Sequence, residues 1–212
     1  MKRDQFTSAS TATVIKAPAA VTADANGAGV DISNYSGLVM LLAAIFNTAG
    51  SSPTLAAKYQ TSTDGDYVGE ISYIGTGTGN LTELASGPDT VAEDFTITFS
   101  SATSAAVVGS VSGSLGTATV GTKFTSTKIS FLLTAGSTAF VNTDAFAVST
   151  TAQAYTDIAG ATIANPGSTS TIVRTVVDSD KLGRFIRPVF DIGGTNSPSY
   201  TIGITAYGMV NG

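Results

Sequence analysis

The sequence predicts an all-β protein built from antiparallel strands, and two observations carry that expectation. Turn-forming residues interrupt the 212-residue chain roughly every eight to twelve positions, a spacing typical of the short strands of sandwiches and barrels. Almost no stretch combines an apolar period of about 3.6 residues with capping residues, so we expect little helix.

The N-terminal part contains one unusually apolar segment. A polar arm at 1–13 precedes a short strand at 14–21. Residues 38–47 are apolar without alternation, which fits either a central strand covered on both faces or a short helix. Their length and the flanking glycines favour the strand. A turn at 50–53 then leads to an alternating strand at 54–62, so we expect two strands joined by a turn.

The middle of the chain is rich in Gly, Ser and Thr and carries further short strands. The clearest is at 94–99, where Phe95, Ile97 and Phe99 share one face of a strand. A strand followed by a turn is expected at 105–116, and further strands are expected at 128–133 and 144–148.

The strongest local signal lies near the C-terminus. Residues 184–192 and 200–207 both alternate, and the Gly/Asn/Pro-rich segment 193–198 lies between them. Two alternating arms around such a loop predict a β-hairpin. A further strand is expected at 172–177.

The composition excludes several classes of active site. The chain has no His, Cys or Trp, so it cannot build a Ser-His-Asp triad, a disulfide or a thiolate zinc site. The formal charge is −5, and no Lys or Arg falls between Lys58 and Lys123. Because binding to a phosphate backbone depends on Lys and Arg, we expect no nucleic-acid partner.

No targeting or membrane segment is expected either. Met1, Lys2 and Arg3 are followed by polar residues rather than by the apolar stretch of a signal peptide. The longest apolar run, 38–46, is far shorter than the roughly 20 residues of a membrane-spanning helix. We therefore expect a soluble protein that is made in the cytoplasm and has no membrane partner.

Carboxylate pairs are the first catalytic candidates in a chain without His or Cys. Asp64 with Asp66, or Glu93 with Asp94, could serve a glycosidase, which needs two carboxylates beside the scissile bond. Such enzymes usually also present aromatic platforms to the sugar, and the chain has no Trp. Solvated turn carboxylates are therefore the preferred interpretation.

A Ser–Lys dyad is the second catalytic candidate. Lys128 has Ser126 and Ser130 close to it in sequence, but Ser is frequent throughout the chain, and adjacent residues in a strand point to opposite faces. This arrangement is weaker than the carboxylate pairs. We expect no catalytic residue, so the protein is predicted not to be an enzyme.

Four turn segments are candidates for ligand binding. Those at 24–27 and 64–66 offer oxygen ligands for calcium, but neither has the spaced acids of an EF-hand-like loop, so Asx turns are favoured and calcium stays open. The Gly-rich segments 75–79 and 109–116 lack the Lys-Ser/Thr ending and the following helix of a phosphate loop. We expect no cofactor and no metal site.

Basic residues concentrate only in the C-terminal part of the chain. Arg184 and Arg187 are three residues apart in a predicted strand, so they lie on opposite faces and form no single patch. At least one of the four is expected to pair with an acid at a subunit contact. The four are Arg174, Lys181, Arg184 and Arg187.

Three stretches of strands and turns resemble bacteriophage virion structural proteins. They are GLVMLLAAIFNTAGSSPTLAAKYQTSTDGDY (37–67), KLGRFIRPVFDIGGTNSPSYTIGITAYG (181–208) and GSVSGSLGTATVGTKFTSTKISFLLTAGSTAFVNTDAFAV (109–148). Together they cover roughly half of the chain. The likeness is to small, jelly-roll-like β-sandwich proteins that decorate phage heads or are associated with tails.

The resemblance implies an architecture and a role. Residues 1–72 and 153–212 form an antiparallel, jelly-roll-like β-sandwich, and residues 73–152 form an inserted β-rich domain. The role is that of a head decoration or cement protein, which binds the major capsid protein on the outer surface of the virion and stabilises contacts between shell subunits. Such proteins usually act as homo-oligomers, often trimers.

A tail, baseplate or fibre module that recognises a host-surface glycan is the alternative. A sugar site needs clustered, exposed aromatic side chains. Tyr155, Tyr200 and Tyr207 are instead spread along the chain, which favours the decoration protein.

Overall fold

A computed structural model describes residues 10–62, 68–167 and 169–210, and it confirms the all-β prediction for them. Every strand pairing is antiparallel, and the other regular element in these ranges is a 3-10 turn at Ser179–Lys181. The strands are β1 (Ser10–Val21), β2 (Ala25–Asn26), β3 (Val30–Asp31), β4 (Tyr35–Ser62), β5 (Val68–Ile74), β6 (Asn80–Ser86), β7 (Glu93–Ser101), β8 (Ser104–Gly109), β9 (Gly113–Thr119), β10 (Lys123–Thr125), β11 (Ile129–Thr134), β12 (Ala145–Thr150), β13 (Tyr155–Ile163), β14 (Thr171–Asp178) and β15 (Phe185–Val210).

The chain divides into two compact units. The first unit is Met1–Thr63 with Ala154–Gly212, and the second is Asp64–Gln153. Strand β5 thus belongs to the second unit, although the sequence placed the boundary at residue 72. Of the expected N-terminal arm, residues 1–9 lie outside the described residues, and residues 10–13 belong to β1.

Two long, bent strands organise the first unit. Strands β4 and β15 pair along almost their whole lengths, from Ile186 opposite Thr61 to Val210 opposite Tyr35. Both bend at the same level, where Gly50 (φ 102°) and Gly194 (φ 123°) have backbone angles that disfavour any residue with a side chain. The bend turns one sheet into two layers that pack face to face.

Each layer contains one half of each long strand. In the first layer, the strand order is β1, the second half of β15, the first half of β4, and β14. In the second layer, β2 and β3 pair with the first half of β15, followed by the second half of β4 and then β13. The first unit is therefore an antiparallel β-sandwich, as the sequence predicted.

The predicted C-terminal hairpin is wrong. The arms 184–192 and 200–207 do not pair with each other, because they are two halves of the single strand β15 and each pairs with β4. The Gly/Asn/Pro-rich segment 193–198 bends the strand between layers instead of reversing it. The turn at 50–53 has the same role in β4. Residues that tolerate positive φ are used both where a strand bends at a corner and where a hairpin loop reverses the chain. Local composition therefore cannot distinguish a corner from a hairpin loop.

The sandwich core lies between the two layers and consists of the inward row of each strand. In β4 the odd-numbered residues Val39, Leu41, Ala43 and Ile45 are fully buried, and they face Tyr59 and Leu55 of the other layer in one apolar cluster. In β15 the even-numbered residues 200–206 belong to the same cluster. Alternation of this kind leaves the other row of each strand facing outward.

The second unit has its own two sheets and its own core. One sheet has the strand order β5-β12-β7-β8-β9 and the other β10-β11-β6. Phe95, Ile97 and Phe99 are all buried on the inward face of β7, as predicted, and the ring of Phe99 stacks on that of Phe140 at 3.9 Å. Both sheets contribute to a single apolar cluster.

Candidate interaction surface

The outward face of the second layer is polar, as expected for a solvent-exposed sheet. The Lys58 ammonium is 2.6 Å from the Asp157 carboxylate, and the Gln60 amide donates a hydrogen bond to the same carboxylate at 2.8 Å. Arg187 donates to the Gln60 amide oxygen at 2.9 and 3.0 Å, and its guanidinium lies 3.9 Å from the ring centre of Tyr155. The polar side chains on this side of the sandwich therefore bond to one another.

The outward face of the first layer is made mainly of apolar side chains. Because the odd-numbered residues of β4 point inward, its even-numbered residues point outward, and the pairing registers place neighbours from three other strands beside them. We call this surface the apolar face. Its residues are Leu38, Met40, Leu42, Ala44 and Phe46 of β4, Ile172, Arg174 and Val176 of β14, Thr201, Gly203, Thr205 and Tyr207 of β15, and Ala12 and Val14 of β1.

Several large side chains of the apolar face are open to solvent. The exposed fraction is 66% for Ile172, 59% for Val14, 49% for Phe46 and 45% for Val176. The sequence suggested a β4 segment covered on both faces. The structure corrects this, because the even-numbered residues 38–46 are only partly covered or exposed.

The apolar face is comparable in size to the largest apolar patch of a typical monomer. Strand geometry gives a length of roughly 27 Å over residues 38–46 and a width of roughly 19 Å over four strands, or about 500 Å². The largest apolar patch of a typical monomer covers about 300–600 Å² and is often functional. A surface of this size and composition is suited to contact with another protein surface.

Charge is sparse on the apolar face. Among the outward residues of β4, β14 and the second half of β15, the charged ones are Arg174 and Asp178. Asp178 caps the following 3-10 turn by accepting a hydrogen bond from the Asp180 amide at 3.2 Å. Because Arg174 lies on the edge strand β14, it can keep its guanidinium in solvent.

A buried carboxylate organises the first Gly-rich segment of the second unit. Asp144 accepts hydrogen bonds from the amides of Thr76 and Gly77 at 3.1 Å, from the Val141 amide at 3.0 Å and from the Tyr73 hydroxyl at 3.0 Å. Burial alone raises the pKa of Asp144, but the hydrogen bonds outweigh it and hold the pKa below its ordinary value. Residues 75–79 thus surround an anion that the protein itself supplies.

The second Gly-rich segment is held in the same way. Buried Glu93 accepts hydrogen bonds from the amides of Val111 (3.1 Å) and Ser112 (2.8 Å) and from the Ser112 hydroxyl (2.6 Å). Burial raises the pKa of Glu93, and these hydrogen bonds outweigh that effect and lower it. A Cβ on Gly109 would meet the Glu93 carboxylate, so glycine is required there.

The structure separates the two carboxylates proposed as a catalytic pair. Glu93 points into the second unit, whereas its neighbour Asp94 points outward and accepts a hydrogen bond from the Ser149 hydroxyl at 2.6 Å. Adjacent residues of a strand lie on opposite faces, so these two cannot flank one bond. The other pair, Asp64 and Asp66, lies outside the described residues.

The Ser–Lys candidates are engaged in local structure. The Lys128 ammonium donates a hydrogen bond to the backbone carbonyl of Asp89, and the Ser126 hydroxyl donates to the Ile129 carbonyl at 2.8 Å. Ser130 is buried in β11. The Lys128 backbone amide donates to the Ser126 hydroxyl at 3.2 Å, but among the described residues no hydrogen bond joins the Lys128 ammonium to either serine hydroxyl.

The calcium candidates gain no support. Asp24 accepts a hydrogen bond from the Ile192 amide at 2.8 Å, which ties its turn to β15. In the part of the chain that the structure describes, no three acidic side chains cluster as a metal site would require. The turn at 64–66 lies outside that part.

The basic and aromatic candidates are dispersed. Arg184 directly precedes β15 and forms an ion pair with Asp31 of β3 at 3.0 Å, within the same chain. Tyr200 is fully buried, and its hydroxyl donates to the Gly167 carbonyl at 3.1 Å. Tyr207 lies on the apolar face, Tyr155 lies beneath Arg187, and Lys181 ends the 3-10 turn.

Sequence reasoning missed the apolar face and both buried carboxylates. The face was visible as apolar residues at the even-numbered positions 38–46, in addition to the core row at the odd-numbered positions. The carboxylates carried a weaker signal, because nothing local links Asp144 to residues 75–77.

Among the described residues, no helix is long and apolar enough to cross a membrane.

Comparison with known proteins yields one weak likeness. No protein family matches the chain, and no curated protein matches it. A crystal structure of FlgL from Xanthomonas campestris is similar to a region covering 48% of this chain and 33% of that one, with 17% identity and a TM-score of 0.34. The chain thus spans about a third of the length of that protein, and the likeness is too distant to assign a fold or a role.

Proposed function

We propose that the chain is a non-enzymatic structural protein of a bacteriophage virion, a head decoration or cement protein. It binds the outer capsid surface, contacts the major capsid protein and stabilises contacts between shell subunits. It is made in the host cytoplasm and acts as a homo-oligomer on the particle. The observation that carries the proposal is the apolar face of the first layer.

The apolar face supports an assembly role by contrast with the other side of the same sandwich. The second layer is built from the other halves of β4 and β15, yet its outward residues form ion pairs and hydrogen bonds with one another. The two faces therefore differ in chemistry but not in architecture. An outward sheet face that carries Leu, Met, Phe, Ile and Val is suited to burial against a protein surface.

The fate of the catalytic candidates supports a non-enzymatic role. Glu93 has a depressed pKa, and the Val111 and Ser112 amides and the Ser112 hydroxyl hold it inside the second unit. Lys128 is bound to a backbone carbonyl. These groups hold loops in place, which is a structural task.

The resemblance of residues 37–67, 109–148 and 181–208 to phage structural proteins supplies the virion setting. In the structure, the first and third of these stretches lie mainly in the two long strands that build the sandwich. A weakly charged β-sandwich with one apolar face suits a protein that covers and braces a shell.

Cryo-electron microscopy of virions of the encoding phage, with and without this gene product, tests the proposal. We expect density for the protein on the outer shell of complete particles and no such density on particles that lack it. Particles without the protein are expected to release their DNA at a lower temperature. Density confined to the tail, or equal release temperatures, would contradict the proposal.

Adding purified protein back to deficient particles provides a matched control. Wild-type protein and the variant Ala56→Glu, which is altered on the outward face of the second layer, are expected to restore the release temperature. Phe46→Glu, altered on the same strand within the apolar face, is expected to restore it only partly.

The alternative, a tail or fibre module that recognises a glycan, makes a different prediction. Density at the tail tip together with binding to host-surface polysaccharide would establish it. The three tyrosines that a sugar site could use do not cluster, since Tyr200 is buried in the core.

A further inference from the structure

We propose that the apolar face packs against the same face of a second copy of this chain, around a two-fold axis that runs parallel to the strands. The inference rests on the proposed assembly role, because it names the partner of the same surface. The sizes of its side chains, the register of its strands, its area and its few charges favour a second copy as the partner of the apolar face.

The apolar face combines a row of large side chains with a row that contains smaller ones. Its β4 row is a ridge that includes Leu38, Met40, Leu42 and Phe46. In the neighbouring β15 row, Thr201 and Thr205 are smaller than their partners Phe46 and Leu42, whereas Pro18 of β1 lies over Gly203, 3.0 Å from its Cβ position. Large side chains of one copy can therefore pack over the threonines of another.

The pairing registers define which residues meet. Val14, Thr205, Leu42 and Arg174 form one row across the four strands, since each is the direct partner of the next. A two-fold axis parallel to the strands, midway between β4 and β15, places Leu42 of one copy opposite Thr205 of the other. The same axis places Phe46 opposite Thr201, and the edge strand β14 opposite β1.

The strand-parallel axis also keeps the two Arg174 side chains apart. Arg174 of one copy then lies opposite Val14 of the other, at the rim, where its guanidinium can reach solvent. An axis perpendicular to the strands and centred on Leu42 would instead bring the two Arg174 side chains together and stack ridge on ridge. Repulsion between unpaired charges in a dry contact disfavours that arrangement.

The estimated area of two apolar faces lies at the lower limit for a specific dimer. Two faces of about 500 Å² each bury roughly 1,000 Å² in total, which is about the lower limit for a biological interface. Sheets packed in this way keep their strand directions within about 30° of each other, as in ordinary sandwiches.

The oligomeric state of the purified full-length chain is the first test. Light scattering coupled to size-exclusion chromatography is expected to give about twice the monomer mass of 21.3 kDa at micromolar concentration. Phe46→Glu and Ile172→Glu are each expected to weaken association at least tenfold, because each places a charge in the contact. A wild-type chain that stays monomeric at about 100 µM overturns the proposal.

Ala56→Glu is the matched control, because residue 56 lies outward on the second half of the same strand β4. It is expected to leave the dimer intact. Circular dichroism and thermal unfolding of all three variants establish that each is folded. Equal weakening by the control, or a folded Phe46→Glu protein that dimerises normally, contradicts the assignment of the surface.

Cross-linking tests the axis, and the lack of Cys in the chain makes it simple. Val14→Cys and Arg174→Cys proteins are prepared separately and treated with a short bis-maleimide, alone and mixed. The strand-parallel axis predicts cross-linked dimers in the mixture and few in either protein alone. Cross-linking of Arg174→Cys alone would indicate the perpendicular axis and refute the proposed one.

These measurements use purified protein and no virion. A dimer with this pattern in a protein that proves absent from the phage head would refute the proposed function and leave the surface assignment standing. A monomer that binds the shell directly would refute the dimer and leave the function standing.

Discussion

Asp144 shows how a single carboxylate can organise a loop. Its two oxygens accept four hydrogen bonds, three of them from backbone amides. Gly75 and Gly77 are needed beside it, because a Cβ at residue 75 would lie 2.5 Å from the carboxylate and one at residue 77 would lie 3.0 Å from it. The glycines allow the chain to wrap around the acid.

The ionised carboxylate of Asp144 is expected to stabilise the second unit at neutral pH, and this stabilisation is expected to be lost in acid. Its pKa in the folded protein lies below the value of about 3.9 for an unfolded chain. The stabilisation is therefore fully present above that value and is lost as the pH falls through the folded pKa. The amide resonance of Gly77, followed by NMR, should titrate with a midpoint below about 3.9.

Asp144→Asn is the companion variant. An Asn side chain turns an NH2 group toward N–H donors, so the melting temperature of the second unit should fall at neutral pH and depend less on acid. Asp94→Asn is the control, since Asp94 is exposed and holds only the Ser149 hydroxyl. A Gly77 midpoint at or above the unfolded value would contradict the role assigned to Asp144.

Tyr59 and Tyr200 form a matched pair in the sandwich core. Both are fully buried, but the hydroxyl of Tyr59 has no hydrogen-bond partner among the described residues, whereas that of Tyr200 donates to Gly167. Burial without a partner raises the pKa of Tyr59. A buried hydroxyl of this kind opposes folding.

We expect Tyr59→Phe to stabilise the protein by about 1 kcal/mol and Tyr200→Phe to destabilise it by about the same amount. Chemical denaturation monitored by circular dichroism measures both. Destabilisation by Tyr59→Phe would show that its hydroxyl is satisfied in solution.

At the scale of elements, the corner of β4 and β15 decides the architecture. Gly50 has a φ of 102°, and a Cβ there would lie 2.7 Å from Cα of Pro198 on the other strand. The Asn196 amide donates to the Ser51 hydroxyl at 3.0 Å across the same bend. The two strands turn together because each holds the other in place.

Gly50→Ala should therefore cost about 2 kcal/mol or more, since it adds a steric clash to an unfavourable φ. Gly37→Ala is the control, because Gly37 has a φ of 70° but open space around its Cβ position. It should cost only about 1 kcal/mol. Thermal unfolding of both variants measures the difference, and equal losses would show that the close contact with Pro198 is unimportant.

The sequence predicted strand positions well but not their connections. Residues 94–99 and 172–177 lie in strands, as the alternation of their side chains predicted. The error at 193–198 arose because a corner and a hairpin use the same residues, and only pairing with a strand distant in sequence distinguishes them. For the candidate surface, the outward apolar row of β4 was readable, but its neighbours from β1, β14 and β15 depend on register, which one sequence does not reveal.

At the scale of the whole molecule, the second unit is inserted at one point of the sandwich. Ser62, at the end of β4, is paired directly with Tyr155, at the start of β13. Paired residues in antiparallel strands have Cα atoms only about 5 Å apart. In the chain order of the sandwich, the inserted unit therefore takes the place of a hairpin turn between β4 and β13.

Replacement of residues 64–153 by a short Gly/Asn turn is expected to leave the first unit folded. A two-residue turn can span the distance between paired strand ends. The shortened chain should retain a β-type circular dichroism spectrum, cooperative unfolding and dimerisation. Loss of cooperative unfolding would show that the sandwich depends on the inserted unit.

The pairing of β4 with β15 also sets the order in which the two units can form. The hydroxyl of Tyr35 donates a hydrogen bond to Ala206, 171 residues further along the chain, whereas Glu93 is joined to Val111 across only 18. Contacts between distant residues form slowly, because the chain must close a large loop first. During synthesis the inserted unit can fold as soon as it emerges, while β4 waits for β15 with its apolar residues unprotected. The sandwich is thus the part of the molecule most exposed to aggregation before the last strand arrives.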